Sequence, residues 1–91
     1  MNINGIEFQK FDTGGGCTAW FKQLGAAYLL VTDDNANAPD SIEECTMVGL
    51  YDDRTGMDIL LLSSRPSTVK QIEKAVRVFI KYADHNGYTD I

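Results

Sequence analysis

Residues 33–44 place oxygen-bearing side chains at the spacing of a calcium-binding loop. Counted from position 1, the side chains at positions 1, 3, 5, 9 and 12 are Asp33, Asn35, Asn37, Ser41 and Glu44, which are the positions that an EF-hand uses for most of its ligands. Position 6 is Ala38 instead of the glycine that the sharp turn requires, and position 8 is the polar Asp40. The flanking segments also have strand patterns, so we expect no calcium site, no other metal and no cofactor.

Cys17 follows a run of three glycines and is the best candidate for a nucleophile. A phosphate-binding loop would follow a strand, open a helix and carry Lys-Ser or Lys-Thr, whereas strand patterns lie on both sides of this run. The base for Cys17 would have to be His85, the only histidine, far along the chain. A small enzyme with a Cys17 nucleophile is therefore a remote alternative, and we expect no enzymatic activity. Cys17 and Cys45 are expected to be reduced thiols, because no secretory leader is visible.

Adjacent carboxylates occur as three pairs in predicted turns: Asp33-Asp34, Glu43-Glu44 and Asp52-Asp53. The first two pairs flank the longest irregular stretch, and the third lies at the other end of the following strand. Such pairs often serve turn formation and solubility. They would also present negative charge to a basic surface on another protein, as a nucleic-acid backbone does. We take these six residues as candidate partner-binding residues.

The hydrophobic period is two as far as about residue 63, which predicts β-strands. Closely spaced strands joined by turns are expected to pair antiparallel. By alternation, Asp58 should point to solvent, opposite Met57, Ile59 and Leu61. The predicted strands are 6–9, 17–24, 28–32, 46–51 and 57–62, interrupted at 12–16 by Asp-Thr-Gly-Gly-Gly.

From residue 66 the period changes to 3.6, which predicts one helix from about Ser67 to Asn86, with Thr68 and Gln71 as a capping box. One face of the helix is apolar and should pack on the sheet through Ile72, Val76, Phe79 and Ala83. A basic stripe lies opposite, formed by Lys70, Lys74, Arg77 and Lys81. We interpret this stripe as a solvated outer face, and a phosphate or acidic partner as its alternative. The predicted fold is a single α+β domain of residues 1–91: about five antiparallel strands in a meander with one C-terminal amphipathic helix on one face.

A single helix leaves the other face of the sheet uncovered. An aromatic residue there would be a natural anchor for a partner. We take Trp20 as that anchor, while Phe21, Tyr28 and Tyr51 are further large rings in the strands. The same face, or an edge strand, would alternatively form the seam of a homodimer.

The chain has 91 residues and a formal net charge of −5, which disfavours direct binding to nucleic acid. No apolar run is long enough for a membrane span, so we expect a cytoplasmic protein. The sequence favours a non-enzymatic, acidic protein-binding module that occupies a basic, nucleic-acid-binding surface of a larger protein. Small inhibitors encoded by phages and mobile elements, including anti-CRISPR proteins, share this general description. The alternative from another class is a homo-oligomeric interaction domain.

Overall fold

The computed structural model describes residues 1–63 and 69–89. A two-stranded hairpin precedes a five-stranded antiparallel sheet, and one helix follows it, which confirms the predicted α+β class and the meander. The strands of the sheet lie in chain order, so each is hydrogen-bonded to its sequence neighbours. The strands are β1 (Asn2–Ile3), β2 (Ile6–Glu7), β3 (Gln9–Gly14), β4 (Cys17–Leu24), β5 (Ala27–Thr32), β6 (Met47–Asp52) and β7 (Asp58–Ser63), and the helix is α1 (Val69–His85).

The N-terminal hairpin was not predicted. Asn4 and Gly5 both have positive φ, 55° and 82°, as a two-residue hairpin turn of the primed type requires. The turn pairs β1 with β2, so the predicted strand 6–9 is divided: Ile6 and Glu7 belong to the hairpin, and Gln9 begins the first strand of the main sheet. That strand is β3, which runs through the expected break as far as Gly14. The fully buried Ile3 and Phe8 extend the core at this end.

Helix α1 packs across β5 and β6, two of the three inner strands of the main sheet. Its buried positions include the predicted Ile72, Val76, Phe79 and Ala83. They meet alternate residues of the sheet, which are the fully buried Leu29, Val31, Val48 and Leu50. The predicted helix start at about Ser67, and Thr68 of the predicted capping box, lie outside the described residues. No helix of the described ranges is long and apolar enough to cross a membrane.

A β-bulge changes the predicted alternation in β7. The pairing register shifts between Leu50 and Tyr51, so that Leu50 faces Leu60 while Tyr51 faces Asp58. Ile59 is the extra residue, and Asp58 and Leu61 consequently lie on the same face of the sheet. The expected inward direction of Met57 and Leu61 is wrong, since these side chains are 68% and 53% exposed.

Candidate functional site

Four aromatic rings cross the sheet face that α1 does not cover, one from each of four neighbouring strands. They are Phe11 of β3, Phe21 of β4, Tyr28 of β5 and Tyr51 of β6, and we call them the aromatic ladder. Successive ring centroids are 5.0, 5.5 and 5.4 Å apart, and the planes are inclined by 27°, 31° and 16°. These spacings are those of attractive offset-stacked aromatic pairs. The outermost ring, Phe11, is 48% exposed.

Strand register aligns these rings. The Gly25–Ala26 turn pairs Leu24 with Ala27 and Phe21 with Leu30, which puts Phe21 and Tyr28 on one face as diagonal neighbours. Tyr28 stands directly opposite Tyr51 across the β5–β6 pair. Side chains this close across a sheet interact strongly, so the row is continuous from the β3 edge to β6.

Gly49 makes room for the ring at the β6 end of the ladder. A Cβ built on Gly49 would lie 2.6 Å from Oη and 2.7 Å from Cζ of Tyr51, and closer still to Cε1. The Tyr51 ring therefore lies over the backbone of Gly49, two residues earlier on the same face. Any larger residue at position 49 would move this ring.

Charge on this face is acidic and sits at the end of the ladder. Asp58 of β7 is paired with Tyr51, and it is the one charged residue among the strand residues that the register places on the uncovered face. Asp53 lines a groove together with Phe11, Phe21 and Tyr28. Burial raises the pKa of Tyr51 above its ordinary value, and the carboxylate of Asp58 and then the phenol of Tyr28 add to the rise. The site thus combines flat apolar rings with two carboxylates.

The six predicted partner-binding carboxylates divide between the two ends of the sheet. Asp33, Asp34, Glu43 and Glu44 belong to the connection between β5 and β6, whereas Asp52 and Asp53 lie at the end where the ladder meets Asp58. Of the six, the structure places Asp53 beside the aromatic rings, whereas the register puts Asp52 on the face of the buried Ala27 and Leu50. Whether any of the six contacts a partner remains a prediction.

Two of these carboxylates order turns. The Oδ1 atom of Asp33 accepts hydrogen bonds from the backbone amides of Asn35 and Asn37, at 2.9 and 3.0 Å. The Oδ1 atom of Asp52 accepts from the amide of Arg54 at 2.8 Å. Asp33 and Asp52 thus have the turn-forming role that their positions predicted. The other four carboxylates are exposed: Asp34, Glu43, Glu44 and Asp53.

Trp20 does not lie on the uncovered face, where we expected the anchor. Its register partner is the buried Val31, on the side that α1 covers, and its ring packs against the core. The indole Nε1 donates to the carbonyl oxygen of Pro39 at 2.7 Å, and the ammonium of Lys10 lies 5.4 Å from the ring centroid. Alternation separates Trp20 from Phe21, and it is Phe21 that faces the open side.

In the described fold, the residues considered as metal ligands do not cluster, and the two cysteine thiols differ in their burial. Within residues 1–63 and 69–89, no three His, Cys, Asp or Glu side chains stand close enough to hold a metal ion. Cys45 is fully buried, and its Sγ lies 3.8 Å from the carbonyl oxygen of Ser41. Burial raises the pKa of this thiol to about 11, and the carboxylates of Asp33 and Glu44 contribute to the rise. Cys17 is a free, half-buried thiol at the start of β4.

The basic stripe of α1 is exposed along its length, as the helical pattern predicts. Lys70, Lys74, Arg77 and Lys81 are all solvent-accessible on the side away from the sheet. The basic stripe and the aromatic ladder therefore face in opposite directions. None of the protein-family models, curated proteins or solved structures compared with this chain matches it.

Proposed function

We propose that this chain is a non-enzymatic protein-binding module, and that the aromatic ladder is the centre of its binding surface. The observation that supports this function is the ladder itself, an apolar row of four rings on a sheet face that the described chain does not cover. Extended apolar patches on small proteins commonly mark interaction sites. Tyrosine and other large aromatic residues also supply much of the binding energy in protein interfaces.

The charge around the ladder favours a basic partner. The acidic side chains of Asp53 and Asp58 lie beside the rings, and the whole chain carries a net charge of −5. A guanidinium group stacks well on aromatic faces and pairs with carboxylates. A partner that presents arginine side chains beside apolar groups therefore complements this surface in both shape and charge.

The carboxylates at the other end of the sheet have a supporting role in this proposal. Asp33, Asp34, Glu43 and Glu44 would attract a basic surface over a longer range and orient the approaching partner. Trp20, with one side of its ring beside Lys10, would contribute only at the margin of the contact. The strongest contacts are thus assigned to the ladder, and steering is assigned to the acids.

A more specific form of the proposal concerns inhibition. A small acidic module bound to a basic, nucleic-acid-binding surface would exclude the nucleic acid by occupying its site. Inhibitors encoded by phages and mobile elements, including anti-CRISPR proteins, act on larger proteins in the cytoplasm, and the size and charge of this chain fit such a role. The support for this specific form is the analogy in size and charge.

The proposal is tested by capturing partners from a host lysate with three immobilised versions of the chain. Phe11→Ala removes the exposed end of the ladder, and Tyr82→Ala removes a comparably exposed aromatic from α1, 39% against 48%. We expect wild type and Tyr82→Ala to retain the same basic protein and Phe11→Ala to lose most of it. The captured protein is then purified, and its affinity for nucleic acid is measured with and without the module.

The outcomes separate the general proposal from the specific one. Loss of binding in Tyr82→Ala with retention in Phe11→Ala would place the interface on the helix and contradict the ladder. Binding through the ladder with no effect on nucleic-acid affinity would retain the binding module and reject the inhibitory role. Circular dichroism of each variant verifies that the fold is intact.

A further inference from the structure

Strand β7 forms one edge of the sheet and carries an uninterrupted aliphatic run. Its sequence is Asp58-Ile59-Leu60-Leu61-Leu62-Ser63, and it pairs only with β6 in the described part of the chain. On its outer side, the backbone amide and carbonyl groups are consequently paired with no other strand of the described residues 1–63 and 69–89. An edge strand that is apolar and free of lysine and proline readily pairs with another strand.

The opposite edge of the same sheet is built differently. Strand β3 carries the charged residues Lys10 and Asp12, and its register with β4 shifts between Asp12 and Gly14. Charged side chains and bulges of this kind prevent edge-to-edge association. The two edges of the sheet thus differ: in β7 the charged Asp58 and the bulge at Ile59 lie at the start of the strand, and residues 60 to 63 carry neither a charge nor a bulge.

Apolar surface flanks β7 on both faces of the sheet. On the uncovered face, Leu61 is 53% exposed. On the helix side, Leu62 of β7 and Ala75, Val78 and Phe79 of α1 line an open groove of about 250 Å³, with Gln71 and Lys74 at its walls. Val78 is 45% exposed in this groove. A strand added at β7 would therefore gain backbone hydrogen bonds and also cover apolar side chains above and below the sheet.

We propose that β7 pairs antiparallel with β7 of a second copy of this chain, which joins two five-stranded sheets into one continuous ten-stranded sheet. The Val78 groove of each copy then lies beside the same groove of the other copy, along the two-fold axis. The aromatic ladder stays uncovered on both copies, so this inference does not depend on the proposed function.

Self-complementarity is the reason for naming a second copy as the occupant. A two-fold axis lets the same outer amides and carbonyls of both strands satisfy each other. The antiparallel direction also separates like charges, because Asp58 of each copy lies near the Ser63 end of the other strand. A parallel pair would place the two Asp58 carboxylates side by side, which is destabilising.

The mass of the full chain in solution, measured by light scattering over a series of concentrations, tests the pairing. We expect the mass to rise to twice the chain mass of 10.1 kDa as the concentration increases. Leu61→Lys places a charge on the β7 edge and is expected to give the monomer mass throughout that series. Phe11→Lys is the matched control, since it places the same charge at a similarly exposed position near the other edge, and it is expected to retain the dimer.

Two results would overturn the proposal: a wild-type chain that remains monomeric at every concentration, and a dimer that persists in Leu61→Lys. A dimer that persists in Leu61→Lys and is lost in Phe11→Lys would place the interface on the aromatic face.

Hydrogen exchange on the wild-type chain provides a test that needs no variant. Backbone amides of β7 should become more protected as the concentration rises, whereas amides of β3 should not change. Equal behaviour of the two edge strands would contradict pairing at β7, even if Leu61→Lys proved unable to fold.

Discussion

The ring of Tyr51 lies against the backbone of Gly49, where the smallest possible side chain would already collide with it. A Cβ on Gly49 would be 2.6 Å from the phenolic oxygen of Tyr51. The neighbouring ring of the ladder, Tyr28, stacks on Tyr51 with the two ring centroids 5.4 Å apart. The absence of a side chain at position 49 therefore determines where the last ring of the ladder lies.

Gly49→Ala is expected to displace the Tyr51 ring while leaving the strands in place, because the methyl group occupies space now filled by the ring. The ring-current shifts of Tyr28 and Tyr51 should change in a proton NMR spectrum. Binding of a partner through the ladder should also weaken in Gly49→Ala. Thr32→Ala, on the same face, is the control and should leave both ring signals unchanged; unchanged signals in Gly49→Ala would contradict the described position of Tyr51.

Phe79 is the largest side chain that α1 places against the sheet, and it is 8% exposed. Phe79→Ala should lower the free energy of unfolding by about 3–5 kcal/mol, since it removes a buried ring and leaves a cavity. Val78→Ala, one residue earlier but 45% exposed, should change it by about 0.5 kcal/mol or less. Urea denaturation measures both values, and a loss below about 1 kcal/mol for Phe79→Ala would contradict the assigned helix face.

Cys45 should make the fold sensitive to alkaline pH. The pKa of its thiol is raised from an ordinary 9.0 to about 11 by burial and by the nearby carboxylates of Asp33 and Glu44. Below pH 9 the Cys45 thiol is protonated in both the folded and the unfolded state, so its contribution to the stability of the fold is fully present. Between pH 9 and 11 the unfolded chain loses this proton first, so the free energy of unfolding falls by at most about 3 kcal/mol.

The measurement compares wild type with Cys45→Ala from pH 8 to 11, so that the titration of other groups cancels. The free energy of unfolding of the wild type should fall relative to that of Cys45→Ala as the pH rises. If the two free energies instead changed in parallel with pH, the raised pKa of a buried Cys45 thiol would be refuted. In the native wild type at neutral pH, the half-buried Cys17 should react with a thiol reagent much faster than Cys45.

Charge reversal tests the steering role of the acidic residues. Reversing Asp33, Asp34, Glu43 and Glu44 should slow association with a basic partner, and the effect should shrink as salt screens the charges. Because Asp33 also caps a turn, a second variant that reverses only Asp34, Glu43 and Glu44 separates steering from folding. Binding kinetics at low and high salt provide the association rates.

The variant matched to the acidic one reverses the charges of the basic stripe of α1, which consists of Lys70, Lys74, Arg77 and Lys81. It should affect association with a basic partner much less, because the stripe faces away from the ladder. If the acidic variants bind like wild type and the stripe variant fails, the protein uses its helix, and an acidic or nucleic-acid partner becomes the better interpretation.

Periodicity in the sequence is sufficient to predict the helix and the strands, and the short connections favour antiparallel pairing of neighbours, although they do not determine the strand order. The buried positions Ile72, Val76 and Ala83 follow directly from a period of 3.6, because one helix on one sheet face permits a single apolar stripe. The hairpin at residues 2–7 could also have been found, since Asn4-Gly5 is a strong signal for a tight turn between strands. Its strands are only two residues long, too short for alternation to reveal them.

The aromatic ladder could not be predicted from hydrophobic periodicity alone. Alternation places Trp20 and Phe21 on opposite faces, but the choice of the covered face depends on how α1 crosses the sheet. The stacking of Phe21 on Tyr28 further requires the register set by the Gly25–Ala26 turn. At β7, one bulge residue, Ile59, reverses the inward and outward positions, because a shift of one residue moves every following side chain to the other face.

The acidic connection between β5 and β6 is fastened to the sheet by side chains of β4. Trp20 Nε1 donates to the Pro39 carbonyl at 2.7 Å, and the Ala38 amide donates to Oγ1 of Thr18 at 3.0 Å. A free loop of this length would lose conformational entropy when a partner immobilised it. Here that loss accompanies folding, so the loop is preorganised and docking needs little rearrangement. Removing the Trp20 indole would consequently affect binding through loop entropy, although the ring itself lies on the other side of the sheet from the ladder.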